Sequence, residues 1–206
     1  YTGHPATGNK IYGETINGNI TLLKHTWTTI INHTDRDRKW DHVISNNDKD
    51  HSYGKCFVRD KTRTNDFFVL SNITNTDESS NRFGVTQYEW LVANTTHTQG
   101  WSYEYTLEGY QLYPAGIVQG NDDELVVAGT AVQNSNGRTR IFTCKIDHTN
   151  GNIPIFRIYE AKDPFAVQPP LPAPTVKWQG NIVANSITGY YSEGHLLIAG
   201  KATRNV

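Results

Sequence analysis

A chain of 206 residues with 36% hydrophobic and 11% aromatic side chains can form one sizeable domain with its own core. Its net charge of -1, and the interleaving of Arg36, Arg38 and Lys39 with Asp35, Asp37 and Asp41, remove the electrostatic basis for binding nucleic acid. No run of about 18 apolar residues exists, which excludes a membrane-spanning helix. The two cysteines, Cys56 and Cys144, make neither a disulfide framework nor a metal-ligand spacing, and each sits in an apolar run that suits a small buried thiol.

Taken in order, the chain is punctuated by β-branched and aromatic runs bounded by Gly, Asn, Asp or Pro, and no amphipathic helical period is sustained. The chain starts Tyr1-Thr-Gly-His4, with no methionine and no apolar signal core, so a removed leader or an excerpt of a longer protein is expected. Residues 10–14 read as the tail of a strand, followed by a hairpin of 20–31 and 40–44. Then come 55–59, 67–71, 83–93 and 101–107, the last two joined by a turn over 94–100. A third set follows at 113–119, 125–130, 140–146 and 153–159, with the turn Asp147-His-Thr-Asn-Gly-Asn152 between the last two. The side chain of an Asn or Asp at the turn entry caps its own turn, and Asn-Gly supplies the positive φ. The runs at 181–185 and 196–200 open a fourth set.

The hairpins recur roughly 50 to 60 residues apart, the period of a four-stranded repeat. Naming the strands a to d, the chain predicts b-c-d, then a-b-c-d twice, then a-b. That order implies an all-β fold of antiparallel blades from a β-propeller, with a facing a central channel and d at the rim. The blades are expected at 8–45, 53–108, 113–160 and 178–206, all within one segment of 1–206. A closed ring needs at least four blades, so the ring is expected to be completed by other protein chains or by a remainder of its own chain.

The stretch Gln119-Gly-Asn-Asp-Asp-Glu-Leu-Val-Val-Ala-Gly-Thr130 with Ile141-Phe-Thr-Cys-Lys-Ile-Asp-His-Thr-Asn-Gly-Asn-Ile153 carries a further signal. It resembles the degenerate propeller blades of secreted and cell-surface proteins of the Bacteroidota, many of them exported by the type IX system. It departs from them where Pro154-Ile-Phe156 replaces a Trp and where Asp122-Asp-Glu124 replaces a Gly-Gly turn. The resemblance implies a location outside the bacterial cell. It covers 113–160 best, and 55–107 and 181–203 in part.

Candidate chemistry is sparse. Histidines 25, 33, 42, 51, 97, 148 and 195 could suggest a metal, but His33, Thr95 and His148 hold equivalent turn positions on separate repeats and read as exposed turn residues, so no metal and no cofactor are expected. No nucleophile motif, P-loop or paired catalytic carboxylates occur, so no catalytic residue is assigned. Asn-x-Thr sequons start at Asn19, Asn32, Asn72 and Asn94, as an Asn- and Thr-rich composition produces. Binding is expected on long connections at one face, over 45–54, 74–81, 132–138 and 162–177. The residues singled out are His51 and Tyr53 in the first, and Phe165, Pro169, Pro170, Pro172 and Trp178 in or beside the last, where a stiff proline segment presents apolar side chains. The expected function is non-enzymatic protein interaction, adhesion or scaffolding. The alternative is a glycan-binding lectin that uses Trp27, Trp40, Trp90, Trp101 or Trp178 as stacking faces. A propeller enzyme would need convergent polar groups on strand a, where the sequence instead reads Cys56-Phe-Val, Gly116-Ile-Val and Ile182-Val-Ala.

Overall fold

A computed structural model describes residues 7–16, 19–31, 38–44, 50–63, 66–77, 79–91, 96–120, 124–152, 155–160, 181–190 and 195–203. Its strands are β1 (Thr7–Ile16), β2 (Asn19–Ile31), β3 (Arg38–Ile44), β4 (Asp50–Arg59), β5 (Phe67–Asn75), β6 (Asn81–Leu91) and β7 (Thr96–Tyr105). They continue as β8 (Tyr110–Gln119), β9 (Leu125–Gln133), β10 (Thr139–Ile146), β11 (Ile155–Tyr159), β12 (Asn181–Tyr190) and β13 (His195–Thr203). Every pairing is antiparallel, and the strands fall into four sheets ordered β1-β2-β3, β4-β5-β6-β7, β8-β9-β10-β11 and β12-β13. The expected grouping of three, four, four and two strands in chain order is the observed one.

The sheets pack in chain order. Strand β4 lies against β1 and β2, β8 against β4, β5 and β6, and β12 against β8, β9 and β10. Strand a of each sheet is thus seated on the sheet before it. The core fills the space between the second and third sheets, where Phe68, Leu70, Phe83 and Val85 meet Leu125, Val127, Phe142 and Cys144. Phe83 and Phe142 stack at 5.6 Å between ring centroids. Burying each such ring contributes about 2–3 kcal/mol. Cys144 is a buried free thiol and Cys56 a half-buried one. Burial pushes the Cys144 thiol up to about 12.

One feature of strand a repeats three times. The register of β4 shifts between Gly54 and Cys56, that of β8 between Pro114 and Gly116, and that of β12 between Ala184 and Ser186. Each is a one-residue bulge facing the same place on strand b, between Ser71 and Leu70, Gly129 and Ala128, or Gly200 and Ala199. A bulge swaps the two faces of the strand partway along it. Accordingly Leu112 and Ile117, on either side of the β8 bulge, both face the core. The bulged backbone also presses on strand b: a Cβ at Gly129 would meet the Tyr113 carbonyl oxygen at 2.2 Å, and one at Gly200 the Val183 oxygen at 2.1 Å. Glycine is required at these two positions, while in the second sheet the equivalent place is taken by Ser71.

The bulges fix which residues are equivalent, and this corrects two sequence expectations. Ile182-Val183 corresponds to Leu112-Tyr113, not to Gly116-Ile117, beside which the apolar triplets of strand a set it. The connection expected over 45–54 also gives way to strand, because Asp50–Gly54 belong to β4 and pair with β5. Polar residues that look like a loop, Asp50-His51-Ser52, are buried there.

Candidate functional site

The described residues concentrate their polar chemistry in the seams between sheets. At the seam of the second and third sheets, Asn81, the first residue of strand c, donates from Nδ2 to Gln111 Oε1 at 3.1 Å and to the Tyr113 hydroxyl at 3.0 Å. At the next seam the equivalent Thr139 donates its backbone N–H to Asn181 Oδ1, also at 3.1 Å. Strand b contributes too. Thr130 Oγ1 accepts the Ala184 N–H at 2.9 Å in a buried position. In the preceding seam the equivalents are Asn72 and Pro114, and proline has no N–H to give. Asn72 Oδ1 is correspondingly buried with no hydrogen-bond partner among the described residues.

An arginine on strand c crosses each four-stranded sheet. Arg82 reaches Asp50 on β4 at 2.6 Å and pairs with Glu104 on β7. Its equivalent Arg140 donates to the Tyr110 hydroxyl on β8 at 2.9 Å and pairs with Glu160 at 2.9 Å. These clusters tie strands a, c and d together, although Arg140 Nε is buried with no hydrogen-bond partner among the described residues.

A buried aspartate joins the same two sheets at the far end of strand a. Asp60 Oδ1 accepts from the Thr62 N–H at 2.8 Å, the Thr62 hydroxyl at 2.7 Å, the Arg63 N–H at 3.3 Å and Gln119 Nε2 at 3.3 Å. Gln119 in turn accepts the Lys61 N–H, and Lys61 Nζ donates to the Gln119 carbonyl, both at 2.7 Å. Burial pushes the Asp60 carboxyl up, but the Thr62, Arg63 and Gln119 hydrogen bonds outweigh it and hold the group below the ordinary carboxylate value.

At the outer edge of these sheets, β7 of the second sheet grips the turn between β10 and β11 of the third. That turn is capped by Asp147, whose Oδ1 accepts the Thr149 N–H at 2.8 Å, and Gly151 takes φ 74°. Trp101 Nε1 donates to the His148 carbonyl at 3.0 Å and the Tyr105 hydroxyl to the Gly151 carbonyl at 2.7 Å. Tyr103 lies against Gly151 so closely that a Cβ there would meet its ring at 2.4 Å.

Of the residues singled out for binding, His51 and Tyr53 stand on β4 and not on a loop. His51 is buried and Tyr53 half-buried, with their rings 6.3 Å apart in an edge arrangement. Phe165, Pro169, Pro170, Pro172 and Trp178 lie outside the described residues. Trp101 is committed to packing, tilted against Phe68 at 5.7 Å as well as holding the turn. Asn72, the start of one sequon, sits mid-strand in β5, half-buried, with its amide bonded to Asn81 Oδ1 at 3.4 Å. Among the described residues no group of three or more His, Cys, Asp or Glu gathers, and no helix is long and apolar enough to cross a membrane. The rim grip and the seam bonds were missed in the sequence, because they depend on equivalences that only the bulges define. Comparison with family models, with curated proteins and with solved structures returns no match for this chain.

Proposed function

We propose that the chain is a run of consecutive blades of a β-propeller, acting without catalysis as a protein-interaction or adhesion scaffold on the outside of a bacterial cell. The observation that carries the reading is the repeated seam: β8 and β12 each seat on the preceding sheet through equivalent residues, as blades around an axis would. Polar groups at these seams are spent on structure, which favours a scaffold over an enzyme. The residues Gln119–Thr130, resembling blades of Bacteroidota surface proteins, support the location. Protein chains are the partners this reading requires.

A second reading is a lectin. Tyr113 favours it, being 38% exposed beside the Gln111 and Asn81 amides, the mixture of aromatic face and amide that sugars use. A glycan array run beside a protein-binding screen on purified chain separates the two. The scaffold reading expects saturable protein binding and a blank glycan array. Glycan signal that Tyr113→Ala abolishes would replace it with the lectin.

A further inference from the structure

We propose that Asn136 is a site of self-modification: its side-chain amide is lost through a cyclic imide, which leaves aspartate or isoaspartate in an exposed turn. The equivalent Asn150 is shielded from the same reaction. The inference does not rest on the scaffold reading. Asparagine amides are chemically labile, and a glycine next in the chain leaves the attacking nitrogen without a side chain beside it.

The two asparagines form a matched pair, because the turns over 133–138 and 147–152 share one backbone. The Gln133 N–H donates to the Arg138 carbonyl and the Asp147 N–H to the Asn152 carbonyl, both at 2.9 Å. The Gly137 N–H donates to the Gln133 carbonyl and the Gly151 N–H to the Asp147 carbonyl, both at 2.8 Å. The glycines take φ 68° and 74°. Each asparagine Oδ1 accepts the N–H two residues on, from Arg138 at 2.9 Å and from Asn152 at 2.8 Å. Sequence and backbone thus predispose both sites alike.

Their surroundings differ. Asn150 Nδ2, the nitrogen that would leave, donates to Asp147 Oδ2 at 2.9 Å. Gln133 stands in the place of Asp147 in the other turn, and its Oε1 makes no hydrogen bond among the described residues. The 147–152 turn is also gripped by Trp101 and Tyr105 from β7, through the His148 and Gly151 carbonyls. A Cβ at Gly151 would meet the Tyr103 ring at 2.4 Å, whereas nothing lies within 4 Å of one at Gly137. The imide forms only when the Asn-Gly peptide swings until its nitrogen faces the side-chain carbonyl carbon, and that opens the turn. Opening 133–138 breaks its own turn bonds and the bond from the Asn134 N–H to the Gly109 carbonyl. Opening 147–152 must also break the grip of the neighbouring sheet, which makes the open form rarer.

In the reaction the Gly137 nitrogen gives its proton to solvent and attacks Asn136 Cγ. The new N–Cγ bond forms, the Cγ–Nδ2 bond breaks, and ammonia leaves after taking up one proton. Water then adds to either imide carbonyl and opens the ring. The turn gains a carboxylate two residues before Arg138, and the formal net charge falls by one from -1. That charge appears on the connection over 132–138, one of those on which binding is expected.

The test incubates the whole chain in mildly alkaline buffer and maps its peptides by mass spectrometry, with isoaspartate located by electron-transfer fragmentation. The third Asn-Gly pair, Asn17-Gly18, lies outside the described residues and is mapped separately. Asn136 is expected to convert at least about tenfold faster than Asn150 in the folded chain, with the two rates converging in concentrated urea. Tyr105→Phe removes one bond of the grip, and it should speed Asn150 while leaving Asn136 unchanged. Circular dichroism checks that this variant is folded. Equal rates in the folded chain overturn the proposal, as does an Asn136 that converts only in urea. An Asn150 rate that Tyr105→Phe does not move also overturns it, by removing the shield.

Discussion

Asp60 shows at the scale of one residue how this chain spends its charge. It is 1% exposed, and its carboxylate holds two backbone donors, a hydroxyl and the amide of Gln119 from the neighbouring sheet. Asp60→Ala leaves the buried Gln119 amide unmet while water can reach the Thr62 and Arg63 donors, and the expected loss is about 1–2 kcal/mol in a denaturant titration at neutral pH. The depressed carboxyl fixes the sign of the pH dependence. Its stabilising contribution is complete above the unfolded-state pKa of about 4 and is lost as pH falls through the lower folded value. The gap in stability between wild type and Asp60→Ala is therefore expected to close in acid. A gap that stays constant down to pH 2 would show that the carboxylate is not what holds the turn.

At the scale of the elements, strand b and its bulged neighbour decide the stacking. Thr130 Oγ1 is the acceptor for a buried N–H at the Ala184 bulge, so Thr130→Val strands that donor while preserving shape. A loss of about 1–3 kcal/mol is expected, read from the shift in denaturant midpoint. Much of this level was legible beforehand. The run Leu125-Val-Val-Ala-Gly129 announces a strand covered on both faces, and the Asp147–Asn152 turn declares itself through its Asx and Asn-Gly residues. What escaped reading has physical causes. Strand a begins with polar residues, Asp50-His51-Ser52, which are buried against charges and backbone from other strands, so hydropathy alone turns them into loop. A bulge leaves no mark on composition, since Lys55, Ala115 and Asn185 share nothing, and without it Ile182 aligns to the wrong partner. Seam partners such as Asn81 and Gln111 are far apart in sequence and meet only through that alignment.

For the molecule as a whole, the four sheets form a directional series, each packed on the one before it. At the seam of the second and third sheets three devices act together: the bulged β8, Asn81 reaching across from the start of strand c, and Trp101 and Tyr105 gripping the turn over 147–152. The bulge and the reach recur at the next seam, in β12 and in the bond from Thr139 to Asn181. Such a series predicts that β9, paired on both sides, is held far more firmly than β13, which pairs only with β12 among the described residues. Hydrogen–deuterium exchange on the free chain tests this most directly, by comparing residues 196–201 with their equivalents 125–130. Amides of β9, bonded between two neighbours, are expected to stay protected to the limit of global unfolding. Those of β13 whose N–H points away from β12 should exchange orders of magnitude faster. Equal protection of the two strands in the free chain would mean that the edge is already paired, and would contradict the account.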